Sequence, residues 1–341
     1  MFAFTSSPAG RRRRPGPTAA SALLALAAAL PASARPLSAE PIPWQDEAPL
    51  AAPFLQLPFE EPATVGADRV QIELRTIYSS SIAQAASDQI LVDYHLESVQ
   101  PTLRVRIGMG DASELHLELP GVAEVDPAFD TGIRDVESWF HTQNKLRRVP
   151  LSRQPELRLL RPDGRGVLLA GPAVGHLDPW LGVKGVVREQ AGWLPAISWR
   201  AALKLPTSRF PFGSGVLEGG LGLLAGTDLR RMHLWLAADL MLPGGPVSDA
   251  RLPTRPHPAF QLAIGRDLGP PVTLLVQASA HGPALSTLHL SEIDGWTFYV
   301  LAGARLTPTP SLSVGVGVVE NVFVTERGTD IAVVLDLAAR L

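Results

Sequence analysis

The feature that most constrains this chain is an alternation of apolar and polar side chains with a period of two. In the last segment, apolar residues occupy every second position from Ile331 to Leu341, whereas Asp336 and Arg340 face the other way. A strand with one apolar and one charged face lies between two different environments. In the best segments the pattern lasts about 9 to 11 residues, the length that a tilted strand needs to cross a bilayer. The same pattern holds in segments 70–76, 103–107, 115–119, 197–205 and 232–240.

Strand candidates of this kind recur roughly ten to fourteen times, with turns at short intervals and no strand–helix–strand rhythm. Each unpaired backbone group in hydrocarbon costs several kcal/mol, so a membrane sheet has to close on itself. The sequence therefore predicts an all-β fold, a closed antiparallel transmembrane β-barrel of about 12 strands, in one domain over residues 66–341. Asp294-Gly295, between apolar runs at 288–290 and 296–300, predicts a hairpin within it.

Two segments precede the predicted barrel. Four arginines at 11–14 are followed by an apolar stretch and by small residues up to Ala34. This is the order of a secretory signal peptide over residues 1–34, cleaved after Ala34, and its apolar stretch is too short for a membrane helix. Prolines then remove many backbone donors from residues 35–65, which predicts an exposed, extended leader that runs along or into the domain. A Pro-rich docking motif is the alternative interpretation of this leader.

Composition excludes several classes of protein. The chain has 0 Cys, so it has neither zinc–thiolate sites nor cysteine nucleophiles. A formal net charge of -3 argues against nucleic-acid binding. Hydrophobic residues make up 46% of the chain and aromatic residues only 6%, so interface girdles should be sparse. We expect lipid of the outer membrane as the partner, and no cofactor.

The alternation lapses between residues 120 and 165, which predicts a long loop or plug-like insertion. Spacing of apolar residues favours a short amphipathic helix near 133–142. The spacing of the titratable residues there matches no zinc motif, and on a helix Glu137 and His141 would form a surface pair. We therefore predict no metal site. The titratable cluster consists of Asp130, Asp135, Glu137 and His141.

The charged faces of the strands supply candidates for the lining of the lumen. If the interior is filled with water, such side chains could pass or bind a small solute. If it is filled with protein, they pair across the barrel and nothing passes, and the sequence leaves both possibilities open. The candidates are Arg75, Arg104, Arg106, Arg200, Lys204, His233 and Asp239.

No motif predicts catalysis. Gly213-Ser214-Gly215 is not a nucleophile elbow, and we interpret it as a loop. Gly315 and Gly317 precede no helix, so they are not a dinucleotide fingerprint, and glycines inside a strand mark curvature. We predict that the protein is not an enzyme. Two alternatives stay open: a lipid hydrolase at the barrel rim that uses Ser214 and His141, and a soluble periplasmic binding module.

Three short elements also resemble a known family. They are residues 135–141 (Asp-Val-Glu-Ser-Trp-Phe-His), 203–207 (Leu-Lys-Leu-Pro-Thr) and 319–322 (Val-Glu-Asn-Val). Together they are similar to the uncharacterised bacterial family called domain of unknown function 3187, over about residues 60 to 341. This chain departs from the pattern at Ser208, where a Gly usually follows, and at its non-aromatic end, Leu341. The resemblance implies an exported outer-membrane barrel and carries no activity. Our leading hypothesis is a monomeric barrel for passive solute passage or a structural role.

Overall fold

The computed structural model describes residues 40–127, 146, 154–247, 251–286, 288–290, 293–323 and 327–341. The predicted signal peptide with its cleavage after Ala34, and the predicted cluster around His141, lie outside these residues. None of the described residues belongs to a helix long and apolar enough to cross a membrane.

The described residues form fifteen strands. Their bounds are β1 Val70–Ala86, β2 Leu91–Gly108, β3 Ser113–Val125, β4 Glu156–Leu160, β5 Gly166–Ala170, β6 Ala173–His176, β7 Trp180–Arg188, β8 Ala196–Lys204, β9 Glu218–Leu229, β10 Met232–Pro243, β11 His257–Gly269, β12 Val272–His281, β13 Thr297–Thr309, β14 Leu312–Asn321 and β15 Ile331–Arg340.

Twelve of these strands close into an antiparallel barrel, which confirms the predicted fold class. The order around the wall is β1, β2, β3 and then β7 to β15, and β15 pairs with β1 from Gln71 opposite Arg340 to Ser80 opposite Ile331. Closure leaves this wall without a free edge, as a bilayer requires. The short strands β4, β5 and β6 extend the sheet beyond the wall. β4 pairs with the loop-end part of β2, β5 pairs with β4, and β6 pairs with the loop-end part of β3.

The two ends of the barrel differ. At one, which we call the turn end, connections are as short as Arg230-Arg231, and Val70 and Leu341 lie there hydrogen-bonded to each other. Outer-membrane barrels have short turns on the periplasmic side and long loops outside. The turn end is therefore the periplasmic end of such a barrel. At the opposite loop end, the connections include residues 205–217, 244–256 and 282–296.

The outer surface of the wall is apolar. Leu221, Leu236 and Leu335 are 56%, 48% and 52% exposed, whereas the inward neighbours Arg200 and Asp239 are each 4% exposed. A soluble monomer rarely exposes apolar patches larger than a few hundred Å². A continuous apolar band around a closed wall instead matches the lipid-facing belt of a membrane barrel.

Aromatic side chains mark the loop-end margin of this band. Phe260 stacks on Trp296 with ring centroids 6.1 Å apart, and Phe298 meets Phe323 edge-on at 5.2 Å. At the turn end, Trp193 is 80% exposed. The girdle is partial, in keeping with the low aromatic content.

The hairpin predicted at Asp294-Gly295 is wrong. The residues 288–290 are not a strand, because the Asp294 carboxylate accepts hydrogen bonds from the backbone N–H groups of Leu288 and Leu290 at 2.9–3.1 Å. A short acidic side chain can replace ladder partners in this way. The released apolar side chains pack into the core at the loop end.

The lapse of alternation is narrower than the predicted span of residues 120–165. Strand β3 continues to Val125, and residues 156–160 form β4. Both margins of the predicted insertion are therefore sheet. Residues 128–145 and 147–153, with the predicted helix, lie outside the description.

The described part of the Pro-rich leader runs into the domain, one of the two courses that the sequence predicts, but contrary to the prediction it is not exposed. From residue 40 to residue 65 it lies inside the barrel, and most of its side chains, including Ile42, Leu55 and Phe59, are buried. It takes no part in the strand pairing of the wall. The described barrel therefore encloses a segment of its own chain.

Candidate functional site in the barrel lumen

The leader forms a hairpin that spans the lumen from end to end. Its first leg, residues 40–47, starts near the turn end, where Glu40 contacts Arg340. The chain reverses at residues 48–52, where Ala48 O accepts hydrogen bonds from the N–H groups of Ala51 and Ala52, each at 2.8 Å. The second leg, residues 53–65, returns to the turn end. We call residues 40–65 the leader hairpin.

Its first leg is fixed by wall side chains. Gln277 binds the backbone of Ile42 twice, accepting from N at 2.6 Å and donating to O at 3.0 Å. Arg305 donates to the carbonyl oxygens of Glu40 and Pro41, each at 3.0 Å. The legs are joined by Gln56, which exchanges two hydrogen bonds with the Asp46 backbone.

Proline determines how the second leg is held. Because proline has no N–H, a Pro-rich segment offers carbonyl acceptors with few donors and needs donors from elsewhere. Here side chains of the wall supply them. The contacts are Lys204 Nζ to Pro53 O at 2.8 Å, Arg200 Nη1 to Pro58 O at 2.6 Å, Ser198 Oγ to Pro62 O at 2.5 Å and Lys184 Nζ to Ala63 O at 2.8 Å.

Glycines on the inner face of the wall make room for the hairpin. A Cβ at Gly220 would lie 2.9 Å from Leu55, and one at Gly317 would lie 3.4 Å from Ile42. Gly315 also faces Ile42 at 3.4 Å. The glycines of β14, which the sequence suggested as marks of curvature, thus form a groove for the first leg.

The reversal of the hairpin is covered by an apolar core at the loop end. Leu50 and Phe54 of the hairpin pack there with Tyr94 of β2 and Leu157 of β4. Residues from the long loops, such as Leu285, complete the core. The lumen is therefore closed at the loop end by tightly packed apolar side chains.

The most highly charged part of the lumen surrounds Glu60 of the second leg. Its carboxylate lies 2.9 Å from Arg104 Nη2, 3.3 Å from Lys184 Nζ and 3.0 Å from Arg200 Nη1. All four side chains are at most 4% exposed. The Arg104 guanidinium also lies over the Trp180 ring at 5.9 Å. We call Arg104, Lys184 and Arg200 the cation triad.

Each cation of the triad has a second partner on the wall. Lys184 pairs with Glu114 at 2.9 Å, and Arg200 with Asp239 at 2.8 Å. Arg104 lies 3.6 Å from Glu73 and 3.9 Å from Glu118. Glu60 therefore completes a buried network that the wall alone leaves unbalanced.

The predicted lumen-lining residues all lie on inner faces of strands. Six of them are buried in ion pairs: Arg75 with Glu118, Arg104 and Arg200 as above, Arg106 with Glu40, Glu73 and Glu114, Lys204 with Asp178 and Glu218, and Asp239 with Arg200. Of the two possibilities that the sequence left open, the described residues show the second: the charged side chains pair across a filled interior. A large part of that filling is the leader hairpin.

His233 differs from the other six. It lies near the turn end, stacks on Trp235 at 5.4 Å and contacts Asp228 at 2.7 Å and Asp267 at 3.1 Å. Asp228 is largely exposed, so this group belongs to the rim of the barrel.

Sequence reasoning missed Glu60 and Lys184. The signal for the first was available: residues 40–65 contain five carboxylates, Glu40, Asp46, Glu47, Glu60 and Glu61, and no Lys or Arg. An acidic segment next to strands with inward cations indicates that the two meet.

A metal site is not supported at the same place. Ligand atoms of Glu60, Glu114 and His116 lie within 4.8 Å of one another. However, the carboxylates of Glu60 and Glu114 are already bound by the cations described above, and His116 Nδ1 lies 2.9 Å from Arg104 Nη2. The positive charge of those side chains would repel a divalent cation.

Ser214 lies in a buried polar network and not at the rim of the barrel. It is completely buried, and its hydroxyl contacts Lys204 Nζ at 2.7 Å and Glu218 at 2.5 Å. Lys204 pairs with Asp178 and Glu218 as well, so its side chain is held by carboxylates of the wall. The rim-hydrolase assignment to Ser214 therefore lacks support from the geometry.

Little space is left between hairpin and wall. Cavities of about 30, 20 and 10 Å³ lie along the hairpin near Trp180, His257 and Trp44. Such volumes hold about one water each. A larger polar cavity of about 220 Å³ lies beside Glu61 and Thr64 at the turn end.

Wall, outer belt and filled lumen together define a β-barrel of the outer-membrane class. The fold is similar to the crystal structure of an outer membrane channel from Pseudomonas putida F1, with a TM-score of 0.53 and 13% identity, over 82% of this chain and 98% of that one. The NanC porin matches with a TM-score of 0.44 and 7% identity, over 78% of this chain and 97% of that one. No protein-family model and no curated protein matches the sequence.

Proposed function

We propose that this protein is an outer-membrane channel for small solutes that its own leader hairpin closes, and that solutes pass when the hairpin moves. One observation carries the proposal. The hairpin fills the lumen but contributes no strand to the wall, which closes through β1 and β15 without it. Moving the hairpin therefore breaks side-chain contacts and leaves the backbone ladder of the barrel intact.

The lining behind the hairpin suits this function. The inner face carries Arg75, Arg106, Lys204, Gln261 and Gln277, which water can hydrate when the hairpin moves. Beside these polar groups lies an apolar patch of the wall, which the hairpin covers with Ile42, Trp44 and Phe59. The polar cavity of about 220 Å³ at the turn end gives the second leg a hydrated side. The structural likeness to an outer membrane channel agrees with the proposal, although it bears on the fold alone.

A disulfide lock tests whether the hairpin has to move. A Cβ built at Gly315 lies 3.4 Å from Ile42 Cγ1, so the pair Ile42→Cys and Gly315→Cys can form a disulfide between hairpin and wall. The chain has 0 Cys of its own, which leaves no competing thiols. In planar bilayers we expect channel openings from the reduced double variant and their loss after oxidation.

The two single-cysteine variants are matched controls, since oxidation should leave their conductance unchanged. Equal conductance of the oxidised and reduced double variant would refute movement of the hairpin as the opening step. To ensure that openings are frequent enough to count, the lock is also combined with Glu60→Gln, which weakens the contact with the cation triad. A reduced protein that stays silent in that background contradicts the channel function itself.

We further propose that the barrel is a monomer, because its closed wall has no strand edge that a partner must cover. Membership of the family domain of unknown function 3187, export through a cleaved signal peptide and the absence of enzymatic activity stay predictions. Heat-shifted mobility in gel electrophoresis of the outer-membrane fraction tests the monomeric state together with the location.

A further inference from the structure

The cation triad holds a carboxylate that the protein itself provides. In the connected network, the wall contributes six cations, Arg75, Arg104, Arg106, Lys184, Arg200 and Arg340, against four carboxylates, Glu73, Glu114, Glu118 and Asp239. The wall network thus has an excess of two positive charges, which two carboxylates of the leader hairpin balance: Glu40 at Arg106 and Arg340, and Glu60 at the cation triad. Buried charge without a partner is costly, so the site requires an anion.

The site also has donors to spare. Among the described residues, Arg104 Nε and Trp180 Nε1 are buried without a hydrogen-bond partner. Both belong to side chains at the triad, because the Arg104 guanidinium lies over the Trp180 ring. Arg104 Nε lies 3.9 Å from Glu118 Oε2, which is too far for a hydrogen bond, so a donor of the triad remains available to a further acceptor oxygen.

We propose that the cation triad is the lumen's binding site for small aliphatic carboxylates, and that Glu60 occupies it as an internal mimic while the hairpin is closed. The chemical class of the ligand follows from Glu60, since a Glu side chain is a carboxylate on a short alkyl chain. Two guanidinium groups and one ammonium bind carboxylate oxygens through charge-assisted hydrogen bonds.

This inference deepens the proposed function and rests on it, because in the closed state Glu60 blocks the site. A solute carboxylate reaches the triad only when the second leg has moved. Binding can nevertheless be measured without conduction, in a variant in which the Glu60 side chain has been truncated.

The test is chemical rescue of Glu60→Ala in the full mature chain. This variant leaves the triad without its anion and a space the size of the missing side chain. We expect sodium acetate to raise the thermal midpoint of the variant, measured by heat-shifted mobility in gels, by about 2 °C at ten times its dissociation constant. Acetamide, which has the same shape without the charge, should have no effect.

Two controls make the result specific. Wild-type protein, whose site is filled, and Glu189→Ala, which removes an exposed carboxylate at the turn end, should not respond to acetate. An equal response to acetate and acetamide, or an equal response of Glu189→Ala, would overturn the site. If Glu60→Ala does not fold even with acetate, Glu60→Gln is used instead; its side chain keeps the volume of Glu60 and has to leave the triad before acetate can bind. Thiol labelling of a buried Leu57→Cys reporter in that background should then be faster with acetate and not with acetamide, and equal rates also overturn the site.

The outcomes separate the two proposals. Acetate rescue without any channel conductance keeps the carboxylate site and refutes the channel. Conductance of the reduced disulfide variant together with no acetate rescue keeps the channel and refutes the site.

Discussion

Replacing Glu60 by Gln should release the leader hairpin by a measurable amount. The change keeps the size of the side chain and removes one negative charge from contact with Arg104, Lys184 and Arg200, at 2.9, 3.3 and 3.0 Å. Removing one partner from a buried ionic network costs about 3–5 kcal/mol, because the opposite charge is left uncompensated. When the hairpin leaves, water hydrates those cations, so the cost falls on the closed state alone.

The expected magnitude follows directly. Since about 1.4 kcal/mol changes an equilibrium constant tenfold, the open population should rise by about two to three and a half orders of magnitude. The reporter is Leu57→Cys, a buried position three residues before Glu60. In a chain with 0 Cys, labelling by a thiol reagent then reports hairpin movement alone. When the hairpin recloses faster than the thiol reacts, the labelling rate follows the open population.

The comparison is Leu57→Cys with and without Glu60→Gln, so the cost of the reporter itself cancels. Glu189→Gln in the same reporter background is the matched control, because it removes an exposed carboxylate at the turn end that is not part of the ion-pair network around Glu60. A labelling rate that changes less than about threefold would mean that the network contributes under 1 kcal/mol to closure. The electrostatic explanation of the closed lumen would then be refuted.

Two further predictions use the same reporter. Gly222→Ala places a Cβ 2.0 Å from the Asp239 carboxylate and 3.0 Å from Arg200, so this ion pair must shift. Overpacking of this kind costs about 1–3 kcal/mol, and the labelling rate should therefore rise about 5- to 150-fold. Gly317→Val fills the groove under Ile42, because the new Cβ lies 3.4 Å from that side chain. The variant should increase the labelling rate while the heat-shifted gel mobility of the closed barrel persists. An unchanged labelling rate would show that the first leg does not use this groove.

The wall of the barrel was predictable because its determinants are local. Each strand carries its own alternation, and two environments explain why Leu335 faces out and Asp336 faces in. The strand number followed from counting the alternating segments, and closure followed from the requirement that no edge remains in hydrocarbon. The error at Asp294 had a local cause too, since one side chain took the hydrogen bonds that a hairpin ladder would have used.

The filling of the lumen was not predictable in the same way. Residues 40–65 have no period of their own, and their partners are far away in the chain, as Ile42 and Gln277 illustrate. Only properties of both partners together point to the contact: prolines that lack donors, carboxylates without cations, and inward glycines such as Gly220 that leave space. Such a match becomes visible once the strands have been placed around a common lumen.

Competition for the cation triad links the closed state to the solute. A carboxylate that binds only after Glu60 has left stabilises the open form, and its effect on the open population is the factor one plus concentration over dissociation constant. In the Leu57→Cys reporter with Glu60 intact, acetate at ten times that constant should therefore raise labelling about tenfold, and acetamide should not. The same reciprocity requires that a barrel whose hairpin is held more tightly bind acetate with a lower apparent affinity. Oxidation of the Ile42→Cys and Gly315→Cys pair should therefore abolish the acetate effect. Acceleration by acetate that survives this lock would show that the anion acts elsewhere on the barrel.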